Sequence, residues 1–201
     1  MHSSELEKII RTNFLASQRS LKRILDDQEI NQNILQVVNI LLEVINKKCS
    51  IYACGNGGSM CDAMHFCEEL TGKFRKNRIS LPAISISDPA YITCVGNDYG
   101  FEYIFSRFLE GNAKENDFLL VISTSGKSKN IINAAKFAKE NRIKVVSLTG
   151  VKNSELSHIS DIDICTPVGD TSDRIQEMHI TIIHIIVELI ERVLFPCNYK
   201  S

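Results

Sequence analysis

Residues 118–128 read FLLVISTSGKS, and the fold turns on this stretch. Phe118 to Ser123 are almost continuously apolar and rich in branched side chains, the pattern of a strand covered on both faces. The STSGKS part brings hydroxyls and a glycine to the strand's end, and helix-spaced apolar residues then run over about 127–141. Outward from this unit the same punctuation recurs. The runs 50–54 (SIYAC), 82–87 (PAISIS), 144–149 (KVVSLT) and 161–165 (DIDIC) predict four more strands. Helix patterns near 58–75, 88–96, 101–112 and 152–158 lie between them. Apolar strands alternating with helices predict an α/β fold, a doubly wound five-stranded parallel sheet with helices on both faces.

Two further helices precede the sheet, over 4–27 and 29–47. They carry Ile9, Ile10, Phe14 and Leu15, then Ile34, Val37, Val38, Leu41, Leu42 and Ile45 at helical spacing. A long helix over about 172–195 closes the chain. Its apolar residues, among them Ile175, Met178, Ile182, Ile185, Leu189 and Val193, cover roughly 220° at 100° per residue. That is too wide for packing on one side, so burial is expected on two sides, part of it against another subunit. The narrow remaining arc holds Glu177, Thr181, His184, Glu188 and Glu191, with Gln176 at its border, while His179 falls among the apolar residues as a core histidine. No repeat or Pro/Gly linker divides the sequence. The expectation is one domain over 1–201, with the N-terminal helices in 1–48 and the sheet core and C-terminal helix in 49–198.

The chain has 201 residues, 23 Lys plus Arg against 24 Asp plus Glu, and a net charge of -1. This balance argues against a nucleic-acid or anionic-membrane binder, which needs a clustered basic surface. Lys73 to Arg78 is short and reads as a solvated helix end and loop. Seven cysteines, at 49, 54, 61, 67, 94, 165 and 197, form no C-x-x-C and no disulfide framework, and most sit in apolar segments as small buried thiols. Charges interrupt the N-terminus where a signal peptide needs its apolar region, and His184 and Glu188 interrupt the C-terminal apolar stretch. These features point to a cytoplasmic protein.

In such sheets the ligand crevice lies at the carboxyl ends of the strands. The first strand ends in Gly55-Asn56-Gly57-Gly58-Ser59, a turn that lets backbone N–H groups approach an anion or that is simply tight. A dinucleotide fingerprint would need glycine where Met60 stands, and a Walker A loop would need glycine where Val121 stands. Ser123, Thr124, Ser125 and Ser128 put four hydroxyls around Gly126 at a helix start. One of them is explained as an N-cap; four suit a phosphate monoester held without a dedicated lysine. On the helix after the first loop, Ala63, Phe66, Cys67, Leu70 and Phe74 form the expected core stripe, and Asp62, His65 and Glu69 share another side. A stripe of that kind is commonly just solvated. With a distant His184, though, His65 and Glu69 could also make a nitrogen/oxygen zinc site, without HExxH because position 66 is Phe. His184 titrates near neutrality and could move protons.

Taken together, GNGGS at 55–59, CDAMHFCEELTGKFR at 61–75, CVGNDYGFE at 94–102, ISTSGKS at 122–128 and DRIQEMHITIIHI at 173–185 strongly resemble the phosphoheptose isomerase family of the sugar isomerase (SIS) domain superfamily. The likeness runs from about residue 30 to 195. The resemblance implies a flavodoxin-like sheet and a homotetramer with active sites at subunit interfaces. It also implies isomerisation of D-sedoheptulose 7-phosphate to D-glycero-D-manno-heptose 7-phosphate through a cis-enediol, the first step toward ADP- or GDP-heptose for lipopolysaccharide, capsule or other surface glycans. Carried over residue by residue, it makes Glu69 the catalytic base and His184 the second acid/base group. Substrate contacts would be Asn56, Gly57, Gly58, Glu69, Asn97, Asp98, Ser123, Thr124, Ser125, Ser128, Asp173 and Gln176. His65, Glu69, Gln176 and His184 would hold one zinc ion per subunit. Met60 departs from the pattern, where many members have histidine. A different function is implied by a second likeness, because a bacterial regulator that binds the replication initiator protein resembles the same family; a non-catalytic SIS module is therefore the alternative.

Overall fold

Strand parity decides which side chains meet which layer. The computed structural model describes residues 3–169 and 171–200. Its elements are α1 (Ser3–Leu25), α2 (Gln28–Asn46), β1 (Ile51–Gly55), α3 (Gly58–Thr71), β2 (Ala83–Ser85), α4 (Pro89–Asp98), α5 (Ile104–Asn112), β3 (Phe118–Ser123), α6 (Lys129–Glu140), β4 (Lys144–Thr149), α7 (Glu155–Ile159), β5 (Ile162–Cys165) and α8 (Ser172–Leu194). Ile51, Ala53, Phe118, Leu120 and Ile122 pack with α2, α3 and α8. Their alternates Tyr52, Cys54, Leu119 and Val121 pack with α4, α5, α6 and α7 on the other face. The result is a three-layer sandwich with a fully buried central strand, as the run FLLVIS requires.

All strand pairs are parallel, in the order β2-β1-β3-β4-β5. This is the flavodoxin-like order, and its direction reverses between β1 and β3. Gly55 is paired with Ile122 there, so the loops leaving these two strands start side by side.

The helix after β1 ends at Thr71, short of the expected 75, because Gly72 caps it with its N–H on the Glu68 carbonyl at 2.7 Å. β2 has three residues instead of six; it is an edge strand and follows Pro82, which has no N–H for a ladder. α8 buries Ile175, Met178, Ile182, Ile183, Ile186, Val187 and Ile190, while Ile185 and Val193 are exposed. Leu6, Ile9, Ile10, Phe14, Leu15, Leu21 and Leu25 of α1 are exposed as well.

Three polar residues depart from expectation. Arg78 is not in a solvated loop, and Glu191 is not on an open polar arc: their side chains are 0% and 1% exposed and pair at 3.1 Å. Asp62 is buried where a solvated stripe was one reading. His179 is a core histidine as expected. Burial holds its pKa down at about 4, so the neutral ring donates Nε2–H to the Thr149 carbonyl at 3.2 Å, and its Nδ1 has no partner.

Candidate active site

The first loop is built around backbone that only glycine tolerates well. Gly57 sits at φ +56° as the N-cap of α3, and a Cβ at Gly58 would lie 2.5 Å from Gln176 Oε1. Gln176, near the start of α8, is thereby brought against the β1 loop. Asn56 is held by a reciprocal amide pair with Asn130 of α6, at 2.9 and 2.8 Å.

The second loop folds on its own hydroxyls. Ser123 Oγ is 3.4 Å from Ser128 Oγ and accepts the Gly126 N–H at 3.2 Å, and Ser125 Oγ accepts the Lys127 N–H at 3.3 Å. Ser128 occupies the N-cap position of α6, yet its side chain makes no capping bond, so the cap does not account for its hydroxyl. Thr124 Oγ1 meets Ser172 Oγ at 3.3 Å, which ties this loop to the start of α8. Beside it Asp173 is exposed; the Thr171 hydroxyl first, and Arg174 as well, hold its carboxyl below the usual range. Asn97 and Asp98 are exposed at the end of α4 and bond to one another at 2.8 Å rather than to either loop, with the Cys94 thiol 3.6 Å from Asp98 Oδ2.

α3 and α8 bring the titratable groups together. His65 Nε2 lies 3.2 Å from Glu69 Oε1 and 3.4 Å from His184 Nε2, with Glu68 Oε1 at 3.5 Å. The Glu69 side chain is 16% exposed, so water screens it only in part. Burial first, and the facing His65 next, lower the pKa of His184, and Glu69 opposes them. Phe74 lies 5.9 Å from the His184 ring at a 31° tilt and closes one side of it. One carboxylate and two imidazoles thus converge in a half-buried crevice between α3 and α8.

Residues 14–150 match the family model of the SIS domain. The chain is 49% identical over 179 residues to the phosphoheptose isomerase of Fusobacterium nucleatum, covering 89% of this chain and 92% of that protein. Its structure superposes on a phosphoheptose isomerase from Francisella tularensis with a TM-score of 0.87 at 34% identity, covering 96% of this chain and 100% of that one. The phosphoheptose isomerase from Neisseria gonorrhoeae gives 0.83 at 31%, covering 92% and 98%. The chain belongs to the phosphoheptose isomerase family.

As a member of this family it carries, in one chain, a donor set that fits a metal. His65, Glu69 and His184 each offer a ligand atom, all within 4.8 Å of one another. Tetrahedral zinc with bonds near 2.0–2.1 Å holds its ligand atoms about 3.3 Å apart, and two of the observed separations are 3.2 and 3.4 Å. The Gln176 amide lies against Gly58 at the start of α3, the helix that carries His65 and Glu69. Sequence reasoning missed Asn130, the Arg78–Glu191 pair and Ser172. A signal existed for the first two. Asn130 is in phase with Ala134 and Ala138, and Glu191 with Val187 and Ile183, so both are polar residues at core positions of their helices.

Proposed function

We infer that the protein is a phosphoheptose isomerase, converting D-sedoheptulose 7-phosphate to D-glycero-D-manno-heptose 7-phosphate. The observation that carries this reading is the meeting of Glu69 and His184 from two helices far apart in sequence. In the forward direction the Glu69 carboxylate takes a proton from C1 while the C2 carbonyl oxygen gains one, giving the cis-enediol. Return of the carbon proton to C2 and loss of the O1 proton leaves the aldose, so nothing is consumed. A half-buried carboxylate suits the carbon proton, and the His184 imidazole, its pKa lowered first by burial and then by the facing His65, suits the oxygen protons.

Ser123, Thr124, Ser125 and Ser128 hold the phosphate at the start of α6, where hydroxyls and helix N–H groups converge. This anchors the substrate by a group remote from the reacting carbons, and that binding energy offsets the cost of ordering the open-chain sugar. Asn56, Gly57, Gly58 and Gln176 line the sugar's path from the β1 side, Asp173 from the start of α8, and Asn97 and Asp98 from the end of α4. His65, Glu69 and His184 would hold zinc, with Gln176 as the further ligand of the resemblance; when bound, the metal supplies Lewis-acid polarisation of substrate oxygens. Glu69 cannot be a tight ligand and a free base at once, so its proton affinity links the two roles.

The remaining readings rest on surface and composition. The exposed apolar residues of α1 and of α8 support a homotetramer whose interfaces cover them. Seven free thiols support a reducing, cytoplasmic setting, and among the described residues no helix is long and apolar enough to cross a membrane. The two cores share one sheet, which supports a single domain over 1–201. The test is direct: purified protein, assayed with and without added zinc, interconverts the ketose and aldose heptose 7-phosphates. No interconversion under either condition overturns the reading, and retrieval of a replication initiator protein in its place would favour a non-catalytic module.

A further inference from the structure

Asn130 joins the sugar-side loop to the start of the phosphate-side helix through paired side-chain hydrogen bonds. It is 3% exposed, in the first turn of α6. Its Oδ1 accepts two bonds, from Asn56 Nδ2 at 2.9 Å and from the Ile131 N–H at 3.0 Å, and its Nδ2 donates to Asn56 Oδ1 at 2.8 Å. The backbone N–H can only face an oxygen, so the Asn130 amide cannot be turned over. That fixes the Asn56 amide in turn, which must present Nδ2 to one partner atom and Oδ1 to the other. Asn56 keeps one N–H and one oxygen lone pair for a ligand, in a known orientation. A freely rotating asparagine would offer either group at either place.

We propose that Asn130 is a positioning residue for the isomerisation: it holds Asn56 in a single orientation at a set distance from the Ser123–Ser128 loop, and so fixes the register between the phosphate and the reacting end of the sugar. This rests on the reading of Asn56 as a substrate contact. The ligand class it selects is an open-chain sugar phosphate whose hydroxyls near the carbonyl meet a donor and an acceptor together. Because the phosphate loop itself is left intact, loss of Asn130 acts on the reacting end. Substrate still binds, but out of register, and misplacement of about 1 Å is enough to cost on the order of 100-fold in rate.

The experiment compares wild type, Asn130→Ser, Asn56→Ala and the double variant in steady-state isomerisation of the ketose phosphate, alongside binding of inorganic phosphate. The expected result for Asn130→Ser is a kcat lowered about 10- to 100-fold, a KM within about 3-fold of wild type and unchanged phosphate binding. The double variant is expected to be no slower than Asn56→Ala alone, since Asn130 acts through Asn56. Losses that multiply in the double variant, a wild-type kcat in Asn130→Ser, or weakened phosphate binding would each overturn the proposal. If the serine variant does not fold, Asn130→Thr, neutral and closer in volume, is judged by the same comparison; failure of both to fold shows a structural role and sinks it. An inactive wild type would sink the isomerase reading along with it, whereas an active wild type matched by its variants sinks this inference alone.

Discussion

α3 and α8 meet at two polar places, one around His65, Glu69 and His184 and one around Arg78 and Glu191, and the two are built on opposite terms. At the second, the guanidinium of Arg78 donates Nε–H to Glu191 Oε1 at 3.1 Å and its other N–H groups to the carbonyls of Glu69, Leu70, Gly72 and Ile79. Glu191 Oε2 also accepts the Tyr199 hydroxyl at 2.6 Å. All three guanidinium nitrogens and both carboxylate oxygens have partners, and the charge at the C-terminal end of α3 complements the helix dipole. At the first place two ring nitrogens face each other at 3.4 Å and one of them, His65 Nε2, lies 3.2 Å from Glu69 Oε1, a donor set that fits a cation. Satisfied polar groups fix how the helices lie. His184 lies seven residues, about two turns, before Glu191 on α8, so the same helix pair sets both places.

The comparison breaks most visibly at Arg78. Arg78→Met leaves Glu191 buried and unpaired and should cost about 3–5 kcal/mol in urea denaturation, whereas removing both charges with Arg78→Met and Glu191→Leu together should recover a good part of the loss. A smaller effect is expected at Asp62, buried one turn before His65 with Oδ2 unpartnered and its pKa raised by burial to about 6. The folded chain keeps this proton where the unfolded chain has lost it, so stability is full below about pH 4, falls as pH rises to about 6, and levels off above. Asp62→Asn should therefore be stabilising by on the order of 1–2 kcal/mol at pH 8, with the gain vanishing near pH 4, as read from melting curves across that range. His65→Ala should change stability least, by less than about 1 kcal/mol, because it relieves the crowded ring nitrogens as well as losing contacts. Its effect belongs on zinc: equilibrium dialysis should show uptake by the wild type and a weakened site in the variant. A stability loss at His65 as large as that at Arg78 would erase the distinction between the two places.

The sheet was legible because its code is local. FLLVIS, KVVSLT and SIYAC carry their burial in their own composition, and β2 fell short only because a proline and an edge position limited its pairing. The first loop was legible for the same reason, since Gly57 announces a turn within a few residues. Polar residues in helices were harder. Arg78 reads as a loop cation until Glu191, 113 positions away, is beside it, and Asn130 reads as a helix-start asparagine until Asn56, 74 positions away, takes its amide. Nothing near them in the chain states which partner removes them from water. Phase with the buried face was the available clue, and at Glu191 it conflicted with membership of a polar arc that also contains the exposed-side residues of α8.

The central claim is that Glu69 moves the carbon proton in the crevice it shares with His184. Glu69→Gln keeps the shape and the hydrogen-bonding reach but removes the base. Measured with the ketose phosphate, this variant should lose at least about 100-fold in kcat while the sugar phosphate still raises its melting temperature. A kcat within about 3-fold of wild type, in a variant that still binds, would contradict the account.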